Sequence, residues 1–234
     1  MTSPDAYPVG VVVDTTPAPR PQRVTLEGRF VSIVPFDLAA HGRDIYERSA
    51  GSANDGLWAY LGHGPFADFE SFSAHYAEAA KKDDPLLFTI LDRATGKAVG
   101  HATYMRIAPQ DRAIEVGNIL YTPALQRTAG ATEAMYLMAR HAFELGYRRY
   151  EWKCNDLNAP SRRAAARYGF AYEGTFRQHM IVKGRNRDTA WFAMLDSDWP
   201  RVKAGFEAWL DPANFDAEGR QKRSLGALTA ETAR

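Results

Sequence analysis

The stretch "AIEVGNILYTPALQRTAGATEAMYLMARHAFELG", residues 113–146, decides the fold. Its first residues alternate between apolar and polar, which predicts a half-buried strand. Small and polar residues follow, and then apolar residues recur at 134/135, 137/138, 141/142 and 145, which predicts a helix over residues 128–145. Gly146 is a typical residue just after a helix. A strand, a compact turn and a helix form a geometry that holds phosphate, because the first amides of a helix lack backbone partners.

Two common phosphate-binding motifs are missing from this stretch. The turn does not end in Gly-Lys-Ser/Thr, as a nucleoside triphosphate loop does, and it has no Gly-x-Gly-x-x-Gly of a dinucleotide site. The sequence therefore predicts a site for another phosphate-bearing molecule.

Composition excludes several classes of protein. The chain has 234 residues, 45% of them hydrophobic, and a net charge of +1, so no nucleic-acid partner is expected. One cysteine, Cys154, allows no intrachain disulfide and is expected to be a small core residue. Six histidines lack metal-ligand spacing, so no metal is predicted. Neither a signal peptide nor a run of about 20 apolar residues is visible. We therefore expect a cytoplasmic protein without a membrane partner.

The rest of the chain predicts one mixed α/β domain over residues 23–210. Five of the 13 prolines fall in residues 1–22, which predicts an extended arm with a short edge strand at Val11 to Val13. Residues 211–234 are polar and are expected to fray. Exposed edge strands of such a sheet favour a homodimer.

Two motifs about 30 residues apart carry a family resemblance. They are "QRTAGATEAM" (126–135) and "NAPSRRAAARYGF" (158–170). Together with the element order over residues 24–200, they resemble the GNAT superfamily of acyl-CoA-dependent N-acetyltransferases. Within it, the chain is similar to the ribosomal-protein N-terminal acetyltransferase (RimJ/RimL-like) branch. The resemblance implies a central, mostly antiparallel twisted sheet with a splayed parallel strand pair, flanked by helices.

The resemblance also implies acetyl-CoA as the acetyl donor and a place for each of its parts. The pyrophosphate would lie on the helix start, the pantetheine along the preceding strand, and an asparagine after the next strand would bond the pantetheine. The expected contacts are Ile119, Leu120, Tyr121, Gln126, Arg127, Thr128, Ala129, Gly130, Ala131, Thr132 and Asn158. The chain departs from the family's Gln/Arg-x-x-Gly-x-Gly/Ala pattern, because counting from Arg127 reaches Gly130 but ends on Thr132.

Two residues are candidates for the chemistry. Many family members use a tyrosine as proton donor, but Ala165 stands at that place, and Tyr168 is three positions further round the helix. The resemblance implies Ser161 as the donor; it could equally be an ordinary hydroxyl of the first helical turn. Glu115 is expected to share a strand face with Gly117, Ile119 and Tyr121 and could act as the base. It could instead be a charge paired with a Lys or Arg.

The acceptor side is predicted from the aromatic loop and the last hairpin. Trp58, Arg177 and His179 are candidate substrate-binding residues; Trp58 could also plug a loop into the core. The expected acceptor is a primary amine, either a protein N-terminus or a small molecule, reached by direct transfer. The alternative is a catalytically weak acyl-CoA-sensing module acting through a protein partner, which Ala165 would explain.

Overall fold

A computed structural model describes residue 7 and residues 9–231 and shows an open eight-stranded sheet flanked by helices. The strand order is β1-β2-β3-β4-β5-β6-β8-β7, and every neighbouring pair is antiparallel except β5 and β6. The strands are β1 (Leu26–Glu27), β2 (Val31–Pro35), β3 (Leu86–Asp92), β4 (Ala98–Ala108), β5 (Ala113–Tyr121), β6 (Arg149–Asn155), β7 (Ala171–Val182) and β8 (Arg185–Leu195). This is the mixed fold that the sequence predicted.

In the described part of the chain, six α-helices cover the two faces of the sheet. They are α1 (Leu38–Ser49), α2 (Phe69–Ala80), α3 (Ala129–Glu144), α4 (Ala159–Arg167), α5 (Trp199–Leu210) and α6 (Leu225–Glu231). Short 3₁₀ helices span Ser52–Trp58 and Pro212–Asn214. The predicted helix after the phosphate-type turn is confirmed as α3, and Gly146 follows it with a φ of +87°, which glycine adopts at little cost.

Side chains alternate along β3 and supply two separate cores. Phe88 and Ile90 belong to the larger core, which is built with α3, α5 and α6. Leu87 belongs to a smaller core with α1, α2 and Trp58. Because neighbouring residues of a strand point to opposite faces, the two cores lie on opposite sides of the sheet.

The buried carboxylate of Glu133 ties α3 to the turn between β1 and β2. It accepts hydrogen bonds from the backbone N–H groups of Arg29 (2.7 Å), Phe30 (2.6 Å) and Val31 (2.9 Å). A buried charge is tolerated when such bonds surround it. The position of the start of α3 relative to the sheet is fixed in this way.

The two chain ends differ from expectation. The edge strand predicted at Val11 to Val13 is wrong, because these residues are extended and exposed but unpaired. The expected fraying of residues 211–234 is also wrong as far as residue 231, since Leu225 of α6 is 1% exposed against the larger core. Residues 1–6, 8 and 232–234 lie outside the described part of the chain. The predicted boundaries at 22/23 and 210/211 stay predictions.

Candidate active site

A gap opens in the middle of the sheet where β5 and β6 separate. Their parallel pairing runs from Ala113↔Arg149 only as far as Val116↔Trp152, although β5 continues to Tyr121 and β6 to Asn155. Beyond this point β6 stays paired with β8. The predicted splaying of the two strands is therefore confirmed, and it leaves one edge of β5 without a strand partner.

A bulge in β5 changes which side chains face the gap. Asn118 has a φ of +47°, and the register moves from Thr103↔Gly117 to His101↔Leu120, so β5 carries one extra residue. A bulge of this kind reverses the facing of the residues after it.

The expectation that Glu115 shares a face with Ile119 and Tyr121 is therefore wrong. Glu115 shares its face with Gly117 and Leu120, because their β4 partners alternate regularly. Ile119 and Tyr121 turn to the larger core, where the Tyr121 hydroxyl donates to the Ala131 carbonyl at 3.3 Å.

The turn before α3 presents backbone amides to solvent at one end of the gap. Thr128 caps the helix, because its hydroxyl accepts the N–H of Ala131 at 3.2 Å. Gln126, Arg127 and Thr128 are exposed, whereas residues 130–132 are buried. Amides at a helix start of this kind can bind an anion, and the predicted phosphate contacts stay a prediction.

Gly130 has a packing reason as well. A Cβ at this position would lie 2.8 Å from Cγ1 of Val31. The two sequence motifs also meet here, since Arg167 of α4 donates to the Thr132 hydroxyl at 3.1 Å. The spacing that suggested one site is thus realised as direct contact between α3 and α4.

The start of α4 places Ser161 on the other side of the gap. The Asn158 side-chain oxygen caps the helix by accepting the N–H of Ser161 at 3.1 Å. The indole N–H of Trp152, on β6, donates to the Ser161 hydroxyl oxygen at 3.0 Å. The same hydroxyl lies within hydrogen-bond reach of the Cys154 thiol. A serine hydroxyl has one proton to donate, so the Ser161 O–H donates either to this sulfur or to a ligand in the gap.

Glu115 lies within a chain of charges that crosses β5 and β6. It is 3% exposed and pairs with Arg106 at 2.7 Å and with Lys153 at 3.1 Å. Lys153, itself 5% exposed, also pairs with Glu151 at 2.7 Å, and Glu151 pairs with Arg149 at 2.6 Å. Burial raises the pKa of the Glu115 carboxyl, and the charges of Lys153 and Arg106 act against that rise.

Comparison with known proteins gives this arrangement a family. The family model "Acetyltransferase (GNAT) domain" matches residues 41–171, which include the α3 turn, both splayed strands and α4. The chain belongs to the GNAT family of acetyltransferases. Its reaction class is therefore acyl transfer from an acyl-CoA, and acetyl-CoA is the cosubstrate that this family uses.

Solved GNAT structures resemble the whole chain. A GCN5-related N-acetyltransferase from Brucella melitensis is 46% identical, with a TM-score of 0.90 over 92% of this chain and 98% of that one. A protein assigned to the same family from Chromobacterium violaceum is 39% identical, with a TM-score of 0.77 over 85% and 100% of the two chains. An acetyltransferase from Salmonella typhimurium that modifies the N-terminal serine of ribosomal protein L7/L12 is 17% identical (TM-score 0.63, covering 74% and 99%) and shares the fold. No curated protein matches the chain.

The three predicted acceptor residues are not brought together in this GNAT fold. Trp58 is 1% exposed, and its indole donates to the Ser49 carbonyl at 2.9 Å. It belongs to the smaller core, so its assignment as a substrate-binding residue is corrected. Arg177 lines a surface cavity of about 570 Å³ at the last hairpin, together with Gln178, Asn186 and Asp188. His179 bonds Thr189 at 2.9 Å, and its ring centroid lies 6.0 Å from that of Trp191.

Sequence reasoning missed three residues of β6 and β8 that shape the gap. Trp152 orients Ser161, Lys153 holds Glu115, and the Lys153 ammonium lies 3.7 Å from the centroid of the Trp191 ring. The alternation of "YEWKC" indicated that Glu151 and Lys153 share a face, opposite Trp152. The sequence carried no signal for the register that brings this face beside Glu115.

Three further findings concern metal sites, membrane spans and Cys154. Within residues 7 and 9–231, no group of three or more His, Cys, Asp or Glu residues is placed to hold a metal ion. No helix in the described part of the chain is long and apolar enough to cross a membrane. Cys154 is buried in the larger core, as expected, and burial raises the pKa of its thiol.

Proposed function

We propose that the protein transfers an acetyl group from acetyl-CoA directly to a primary amine. The observation that carries the proposal is the convergence of the α3 turn, the splayed β5–β6 gap and the α4 start on one side of the sheet. A helix start that can bind phosphate at one end and a serine hydroxyl at the other suit a long thioester cofactor.

The cofactor would be bound mainly by backbone groups. The pyrophosphate would accept hydrogen bonds from the amides of residues 127, 129, 130 and 132, where the helix dipole also favours negative charge. The amides of Gln126, Thr128 and Ala131 already donate within the turn. The pantetheine would lie along Ile119, Leu120 and Tyr121 as an added strand, because β6 has left this edge of β5 unpaired. Asn158 uses its side-chain oxygen as a helix cap, which leaves its NH₂ group to donate to the pantetheine.

The chemistry would be a direct attack of the amine nitrogen on the thioester carbon. The C–S bond breaks as the amide C–N bond forms. The departing thiolate takes the proton of the Ser161 hydroxyl, and the serine oxygen regains a proton from water. Glu115 takes the proton that the amine loses, through a water. The raised pKa of the Glu115 carboxyl favours proton acceptance near neutral pH, because a more basic carboxylate is a better general base.

The acceptor would be a peptide N-terminus or a small amine. The RimJ/RimL-like branch assignment favours the peptide, and the Salmonella enzyme of the same fold acts on a protein N-terminus. The two classes are separated by mass spectrometry after incubation with peptide and small-amine libraries.

The first test is calorimetric titration of the protein with acetyl-CoA, CoA and pantetheine. We expect micromolar binding of the first two and none of pantetheine, which lacks the pyrophosphate. Turnover is then followed as thiol release in the wild type, in Ser161→Ala, and in Ser197→Ala as an exposed serine control. Bound acetyl-CoA without thiol release for any amine would reject the transferase and favour the sensing module. Full turnover in Ser161→Ala would reject the role of Ser161 alone.

A further inference from the structure

Strand β8 directs two unpartnered hydrogen-bond donors to one face. Among the described residues, Nε of Arg187 and Nε1 of Trp191 are buried and have no hydrogen-bond partner. The two residues are four apart on β8, and the irregularity in its pairing with β7 lies on the β7 side, between Phe176 and Met180, so they share a face with Thr189 between them. Buried donors without an acceptor are costly, and a water, an ion or a ligand can supply the acceptor.

This face of β8 looks onto the charged part of the gap. The Lys153 ammonium lies 3.7 Å from the centroid of the Trp191 ring, and the same ammonium lies 3.1 Å from the Glu115 carboxylate. Burial lowers the pKa of Arg187, and the Glu115 carboxylate and the Arg106 guanidinium act on it through space. Trp191 therefore lies beside the lysine that holds the proposed base, and Arg187 lies four residues further along the same face of β8.

In the described part of the chain, Arg187 has no carboxylate partner, because the carboxylates of this region are paired with other cations. Glu115 and Glu151 are each held by two cations at 3.1 Å or less. No carboxylate of the described residues lies within 4.0 Å of the Arg187 guanidinium, whose Nη1 contacts only the Met180 sulfur at 3.4 Å. A cation that is half-buried and lacks a counter-ion is suited to receive an anionic group.

We propose that the acceptor is an amino-carboxylate, whose carboxylate is held by Arg187 and Trp191 while its amine faces Glu115. The inference rests on the proposed function and narrows its acceptor. A peptide carbonyl oxygen could accept the same hydrogen bonds but carries no charge. Because Arg187 has no counter-ion, a free carboxylate is favoured over a carbonyl.

The test compares matched acceptors that differ only in this group. Straight-chain α-, β- and γ-amino acids and their primary amides are titrated into the CoA-loaded protein by calorimetry, and thiol release is measured with acetyl-CoA. We expect at least one amino acid to bind and react about 10- to 100-fold better than its amide, as for one charge-assisted hydrogen bond. Arg187→Met should abolish that preference, whereas Arg187→Lys should retain part of it.

Controls separate this outcome from unfolding and from failure of the transferase itself. Arg185→Met removes an exposed arginine of the same strand and should keep the preference, and melting temperatures check that each variant folds. Equal binding of acid and amide in the wild type, or an unchanged preference in Arg187→Met, would overturn the inference. Arg187-dependent binding of the amino acid without any thiol release would reject the proposed transferase and leave the carboxylate site standing.

Discussion

Replacing Trp152 by phenylalanine tests whether Ser161 is the proton donor. The change keeps an aromatic ring against Tyr168 and Phe170, whose ring centroids lie 6.2 Å and 5.7 Å from that of Trp152. It removes the indole N–H that donates to the Ser161 oxygen at 3.0 Å, together with the volume of one ring. If Ser161 gives its proton to the thiolate, its oxygen gains negative charge as the C–S bond breaks, and the bond from Trp152 strengthens.

The size of the effect follows from that change in charge. A neutral hydrogen bond contributes about 1 kcal/mol, and a bond to a charged group about 1.5–3 kcal/mol. Loss of the difference, about 0.5–2 kcal/mol, corresponds to a kcat that is roughly 2- to 30-fold lower. The Kd of acetyl-CoA should change little, because the indole does not touch the predicted cofactor residues.

The assay is a double-mutant cycle on thiol release with Trp152→Phe, Ser161→Ala and both together. We expect the tryptophan change to lower kcat in the wild-type background and to have almost no effect once Ser161 is alanine. Trp209→Phe is the matched control, because the indole of Trp209 donates to Gln221 at 2.7 Å and not to Ser161. This variant should be less stable than the wild type without a lower kcat. An equal loss of kcat for Trp152→Phe in both backgrounds would refute the assignment of Ser161.

Three further predictions concern the base and the packing of glycines. Glu115→Gln should lower kcat/KM and remove the acidic limb of the pH profile of kcat/KM. A carboxylate with a raised pKa loses its charge as the pH falls through that pKa. If the variant keeps the acidic limb, another group is responsible for it. Gly130→Ala should weaken acetyl-CoA binding in calorimetry and destabilise the protein by about 1–3 kcal/mol, since its Cβ would lie 2.8 Å from Val31. Gly205→Ala should lower the melting temperature by displacing α6, whereas Gly226→Ala, with open space around it, should not; equal melting temperatures would contradict the packing of the tail.

The sequence predicted the helix limits well because the signals for them are local. Asn158 caps α4 and Gly146 follows α3, as their chemistry indicates. The fold class followed from the order of these elements. It needed no knowledge of long-range contacts.

The sheet face to which each side chain of β5 points was less predictable, because a single residue, Asn118, determines it. Asn118 adopts a left-handed conformation that asparagine tolerates but does not require, so no pattern in "EVGNIL" signals the bulge. Trp58 was misassigned for a related reason: an aromatic residue among glycines can face a ligand or the core, and only the tertiary contacts decide. Leu225 and its neighbours form a helix of seven residues, too short to show a periodic pattern above the polar background.

The pairing of Glu115 and its proposed role as a base are compatible because of Lys153. A buried lysine held by a single carboxylate would oppose protonation of that carboxylate, since the ammonium would lose its partner. Lys153 has a second carboxylate, Glu151, at 2.7 Å, and that residue is held in turn by Arg149. When Glu115 takes a proton, the Lys153 charge keeps a partner and Arg106, which is 44% exposed, keeps its access to water. The charge chain thus lets a buried glutamate change its protonation state without leaving a buried cation uncompensated, which is what a general base at this position requires.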